Sequence, residues 1–239
     1  MHSHKTVERS TTSLGVFLAI TVGSAMPGLA QTTMVAGDGT ANTLVNGNNL
    51  AACSVGLCQV TGGTQVDDSL FHSFAEFSVQ SGDEINFVGT DINTIFTRVT
   101  GARSFINGTI STTGGNTDLF LLNPQGIIFG DNATLDIGGS FIATTADRVI
   151  FNNGALFSAT DTRFSSELLS ISTPVGLQYG TGSGAIEVSG SGHQITAAPF
   201  TGAFDRTNLS PGLQVAPGQT LALVGGPLVF TGGSLTVSD

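Results

Sequence analysis

The chain is 239 residues long, 40% hydrophobic and only 10% charged, with 33 Gly, seven Pro, no Trp and a formal net charge of -10. Such a composition is too apolar for a disordered acidic tail, lacks the Gly-X-Y period of collagen, and suits many short strands joined by turns in one all-β domain. From Gln31 onward there is no Lys, and five Arg stand against 16 acids, so charge argues against nucleic acid and anionic membrane surfaces as partners.

Residues 1–30 read as a signal peptide. Lys5 and Arg9 precede an apolar run from Leu14 to Ala25, and Met26-Pro27-Gly28-Leu29-Ala30 places small residues three before and one before a cut after Ala30. The run falls well short of the roughly 20 residues that a membrane-spanning helix needs. The mature chain is therefore expected to begin at Gln31 and to be exported. Export makes Cys53 and Cys58 legible: they enclose four residues, a CxxC redox motif is excluded by that gap, and zinc would need two further ligands. A small disulfide loop is expected, since disulfides persist in oxidising compartments. The segment of about residues 31–70 is polar and irregular, and it is read as an amino-terminal cap, because an open solenoid end must hide its core and unpaired backbone.

From about residue 71 to 239 the chain repeats one theme, alternating apolar positions followed by Gly or Asn: Phe74-x-x-Phe77-x-Val79, Ile85-x-Phe87, Phe105-Ile106-Asn107-Gly108, Leu135-x-Ile137-Gly138-Gly139 and Val149-x-Phe151-Asn152-Asn153-Gly154. Alternation at period two predicts half-buried strands. Leu221-x-Leu223 recurs as Leu228-x-Phe230 and Leu235-x-Val237, seven residues apart, with Gly225-Gly226 and Gly232-Gly233 at the corners. Three such units make a coil of about 21 residues, the pattern of a three-faced β-helix, so Leu221, Leu228 and Leu235 are expected to face inward. A β-sandwich is the alternative, because its strands also recur at about 8 to 12 residues with turn signals. One or two helical turns are expected around Glu167-Leu168-Leu169. The repeat still runs at Asp239, so either the chain is a fragment of a longer solenoid, as expected, or its last coil must pair elsewhere.

At Leu119-Phe120-Leu121-Leu122-Asn123-Pro124-Gln125-Gly126-Ile127-Ile128-Phe129-Gly130 the sequence resembles the filamentous-haemagglutinin amino-terminal domain, the secretion domain of two-partner exoproteins. The family's hallmark is Asn-Pro-Asn-Gly-Ile between apolar strands. Leu70 to Val79, Arg98-Val99-Thr100-Gly101, Ile106-Asn107-Gly108 and Gly138 to Ala146 look like the family too, in its order. Gln125 departs from the hallmark's second Asn, and no Asn-Pro-Asn-Leu motif is present. The turn chemistry survives the first change: Pro124 fixes φ, Gly126 allows positive φ, and Asn123 can bond its own backbone, although Gln is less at ease than Asn if its position is left-handed. Asn123, Pro124, Gln125, Gly126 and Ile127 are thus the candidate motif, either shaping the fold or touching the transporter.

The resemblance implies a right-handed parallel β-helix with an amino-terminal cap, recognised in the periplasm by an outer-membrane β-barrel transporter and folding outside the cell. It implies a secreted or surface location, and a cell-surface or glycan target for the full-length exoprotein. The rival is a secreted carbohydrate-binding module or polysaccharide-degrading enzyme on the same fold. Catalysis would need converging acids. Asp67-Asp68, Asp83-Glu84 and Asp91 read instead as solvated corners, His72 as a half-buried strand histidine and His193 as a loop residue. Gly180 to Gly184 lacks the helical pattern of a phosphate cradle. No catalytic residue, cofactor or metal ligand is assigned. Asn107-Gly108-Thr109 and Asn132-Ala133-Thr134 match glycosylation sequons without a reason to expect their use.

Overall fold

The computed structural model describes residues 32–49, 52–162, 173–192, 196–197, 204–205 and 212–237. The chain divides after Ala30, and the unit of residues 1–30, with the expected signal peptide, lies outside the described residues. So do His193 and the expected helical turn around Leu168.

Four short strands come first: β1 (Met34–Gly37), β2 (Thr43–Val45), β3 (Leu57–Gly62) and β4 (Thr64–Val66). The chain then winds, laying successive strands on three walls. The first circuit holds β5 (Ser69–Ser78), a bridge at Val79, and β6 (Glu84–Val88). The second holds β7 (Thr94–Val99), β8 (Ser104–Ile106) and β9 (Thr109–Thr113), and the third β10 (Asp118–Leu122), β11 (Ile127–Phe129) and β12 (Thr134–Asp136). After β13 (Phe141–Thr144) the fourth circuit is interrupted by β14 (Arg148–Phe151), β15 (Leu156–Ser158) and β16 (Pro174–Gln178). It resumes at β17 (Ile186–Ser189), passes β18 (Thr196–Ala197) and β19 (Phe204–Asp205), and ends at β20 (Leu213–Gln214). The fifth holds β21 (Leu221–Val224), β22 (Leu228–Thr231) and β23 (Leu235–Thr236).

Strands of like position pair in parallel: β5-β7-β10-β13-β21 on one wall, β8-β11-β17-β22 on the second, β3-β6-β9-β12 on the third. On that third wall β20 pairs with β23, and no ladder joins β12 to β20. The molecule is a right-handed parallel β-helix, the hand that parallel crossovers take, and the parallel ladders remove the sandwich alternative. The seven-residue recurrence lays one strand on each wall, β21, β22 and β23 in turn. Earlier coils are longer than 21 residues: the inward ladder runs Leu70, Ile95, Leu119, Phe141, steps of 25, 24 and 22.

Gly and Asn serve the corners. Most of the interior is apolar, with Ile85, Ile95, Ile110, Ile127, Phe129 and Phe141 all fully buried in one cluster. Each such side chain contributes about 1.5–3 kcal/mol. At the amino end β1 pairs antiparallel with β5, β2 antiparallel with β3, and β4 antiparallel with β5. β3 is both the partner of β2 and the first rung of the third wall.

A second apolar cluster lies outside the helix. Phe71, Phe96 and Phe120 form an outward ladder on the first wall, with ring centroids 5.1 and 4.8 Å apart. The antiparallel sheet β15-β14-β16 covers it with Phe151 and Phe157.

Leu221, Leu228 and Leu235 face inward as expected but are not buried as core residues are. Their ladder partners Phe141, Ile186 and Leu213 are buried, which puts all three on the inward side. Yet Leu228 is 47% and Leu235 39% exposed, and only Leu221 packs partly against the core. They are the last described rung, with no further coil stacked on them.

Candidate functional site

The Asn123 to Gly126 turn joins β10 to β11 inside the stack. Gly126 N–H donates to Asn123 O (3.1 Å) to close a β-turn, and Asn123 Oδ1 accepts from Gln125 N–H (2.9 Å). Gly126 has φ +118, while Gln125 is not among the residues with positive φ, so Gln in place of Asn costs nothing there. The hallmark position that needs conformational freedom is the glycine. A Cβ at Gly126 would also stand 2.9 Å from Ala185 O.

Asn123 is wholly buried and ties three coils together. Its Nδ2 donates to Ala102 O and Ser104 Oγ (both 3.0 Å) in the coil before, and its N–H donates to Thr144 O (2.9 Å) in the coil after. Pro124 is buried as well, and its carbonyl accepts from Gly184 N–H (2.8 Å). Ile127 is fully buried and donates its N–H to Ala185 O (3.0 Å). Gln125 alone of the five residues is exposed. In the folded domain four of the five motif residues are buried, and Gln125 is at the surface.

A second constellation escaped sequence reasoning. Arg98 lies on the outward side of β7, 1% exposed. Its Nε donates to Ser73 Oγ (2.7 Å) on β5, its guanidinium nitrogens to Thr40 Oγ1 (3.0 Å), Ser158 O (2.6 Å) and Thr162 O (3.0 Å), and the group lies 5.1 Å from the Phe157 ring centroid. Asp38 completes the network through hydroxyls, accepting from Ser73 Oγ (2.6 Å) and Thr40 Oγ1 (2.6 Å). Burial pushes the Asp38 carboxyl up, but the hydrogen bonds from Ser73 and Thr40, with Arg98 nearby, outweigh it and hold it below the usual carboxylate value. Burial draws the Arg98 value down, opposed by Asp38 and Asp161. Cap, second coil and outer sheet meet at this one cation. The sequence marked Arg98 as part of a family-like segment but not its network, because most of its partners are more than 50 residues away.

The remaining candidates resolve as follows. Cys53 and Cys58 are bonded to each other, Cα atoms 5.7 Å apart, with both side chains in the inner core. Asp83 binds corners together, accepting from the Thr33 hydroxyl and from Gly56 N–H (2.7 Å). Asp68 accepts from Asn93 Nδ2 (2.5 Å), and Asp67 and Asp91 occupy turns with positive φ. His72 is fully buried rather than half-buried, against Phe74 and Phe87, and neither ring nitrogen has a hydrogen-bond partner among the described residues. Burial pulls its pKa down to about 3. Among the described residues no group of His, Cys, Asp and Glu is arranged to hold a metal ion. Asn107 Oδ1 accepts from Asn132 N–H (3.0 Å), stacking the two sequon asparagines as neighbouring rungs.

No curated protein and no solved structure matches the chain. The model of the TPS secretion domain family matches residues 30–239. With the capped parallel solenoid and the Asn-Pro-Gln-Gly-Ile turn in place, the chain belongs to the TPS secretion domain family, the non-catalytic domain of two-partner-secretion exoproteins, which cross the envelope through an outer-membrane transporter partner.

Proposed function

We propose that residues 1–30 direct export and are removed, and that residues 31–239 are then read in the periplasm as an extended chain by the outer-membrane barrel. Folding follows outside the cell, coil upon coil from the capped amino end, and delivers the exoprotein to the medium or surface for adhesion. The observation that carries this reading is the one-way construction of the stack. β1, β2 and β4 close the amino end with antiparallel pairs, whereas the later wall strands stack coil on coil in parallel, except at β12, which no ladder joins to β20. Such a nucleus grows in one direction only, and unpaired edges of extended chain are what strand addition reads.

In this reading the Asn123 to Gly126 turn acts through folding. Gly126→Val forces a β-branched residue to positive φ beside Ala185 O, and Asn123→Ala leaves three polar groups without their partner, costing about 2–3 kcal/mol. Coexpression with the partner barrel, with secreted fraction read beside melting temperature, tests it. Both quantities fall together in these variants, and Gln125→Ala, at the surface, changes neither. Lost secretion in Gln125→Ala at unchanged melting temperature would make the turn a direct transporter contact.

A further inference from the structure

The third wall is broken where its ladder should be continuous. β12 pairs with β9 and β20 with β23, but β12 and β20 do not pair with each other. Thr134 N–H donates back to Gly108 O, and strand alternation therefore turns the N–H and C=O of Leu135 toward the gap. Leu213 N–H donates onward to Ser234 O, which by the same alternation turns those of Gln214 toward the gap from the other side. The result is a cleft of about 200 Å³, lined by Asp131, Asn132, Leu135, Ser189 and Gln214 among others. A shallower depression of about 290 Å³ shares Asp131, Asn132 and Ser189 and extends the cleft to the half-buried ring of Phe105.

We propose that this groove binds a neutral saccharide. Its wall offers both donors and acceptors: the Asp131 carboxylate, the Ser189 hydroxyl, the Gln214 carboxamide, and backbone groups of Leu135 and Gln214. A sugar ring is dense in hydroxyls that donate and accept at once, and it fits this mixture. Phe105 gives the apolar C–H face of a ring a surface to lie on, and Leu135 gives the cleft an apolar floor. No Lys or Arg lines either part, and Asp131 sits where the two meet, so sulfated or carboxylated sugars are repelled. The site belongs to the secretion domain itself and is independent of how the transporter reads the chain.

The test is titration of the secreted, isotope-labelled chain with lactose, cellobiose and N,N′-diacetylchitobiose, followed by amide chemical shifts, with a heparin disaccharide and an extended hexapeptide as controls. At least one neutral sugar moves the amides of Asp131, Ser189 and Gln214 in a saturable manner, and neither control does. Asp131→Ala and Gln214→Ala are at exposed positions and keep the melting temperature, and each weakens the sugar about tenfold or more. Failure of all three sugars, equal binding by the variants, or saturation by the peptide or the heparin fragment overturns the proposal.

Discussion

Arg98 bears more of the tertiary structure than any other charged side chain described. Its guanidinium reaches the cap, β5 and the outer sheet, in a place where an uncompensated charge or an unfilled acceptor is costly. Arg98→Met leaves Asp38 without its cation, and the carbonyls of Ser158 and Thr162 without donors; denaturant unfolding should show a loss of about 3–5 kcal/mol. Arg98→Lys keeps the charge but not the fork of donors, so it should recover only part of that loss. An equal loss in both variants would mean that shape, and not charge, is what the site requires. His72 makes the complementary case, a titratable group held neutral. Its pKa falls from an ordinary 6.5 to about 3 by burial, so the unfolded chain takes up a proton between those values that the folded one refuses. Stability from this residue is complete above pH 6.5 and is lost as pH falls toward 3, by up to a few kcal/mol. His72→Leu should flatten the melting temperature between pH 6.5 and 4.5; an unchanged slope would show that His72 does not govern it.

The strands were the most legible elements, and the long-range contacts the least. Leu221, Leu228 and Leu235 announced three walls because their spacing repeats within one coil, where no insertion disturbs it. Phe120 to Phe129 disclosed the turn because Pro and Gly are local punctuation. The outer sheet was not foreseen as a separate layer: Val149 and Phe151 alternate like any wall strand, and nothing local says that they pack outward on Phe71 and Phe96. Arg98 escaped for a related reason, since its acceptors include backbone carbonyls, which any residue supplies. The cap element carries its own test. Cys53 and Cys58 close a short loop, so serine at both positions should cost about 2 kcal/mol, read as a lower melting temperature of the secreted chain. The unmutated chain, collected without reductant, should contain no free thiol by mass spectrometry.

At the scale of the whole molecule, the parallel solenoid and the Arg98 network impose different mechanical behaviour on the two ends. In a simple stack each coil touches only its neighbours, and tension on one end would peel it turn by turn. The fifth coil comes close to that description: β21, β22 and β23 pair with β13, β17 and β20, Tyr179 Oη donates to Val224 O (2.9 Å) and Gly226 N–H to Thr145 Oγ1 (3.0 Å), and Leu221 to Val237 contain no charged anchor. Peeling it would release about 60 Å of extended chain. Further in, the rule breaks, because Arg98 of the second coil is bonded to Thr40 of the cap and to Ser158 and Thr162 beyond the fourth coil's first strand. Force carried past β13 is spread across a crosslink that reaches back to the amino end. Among the described residues the fifth coil is thus compliant, and the coils before it are stiffened by a crosslink that bypasses the stack.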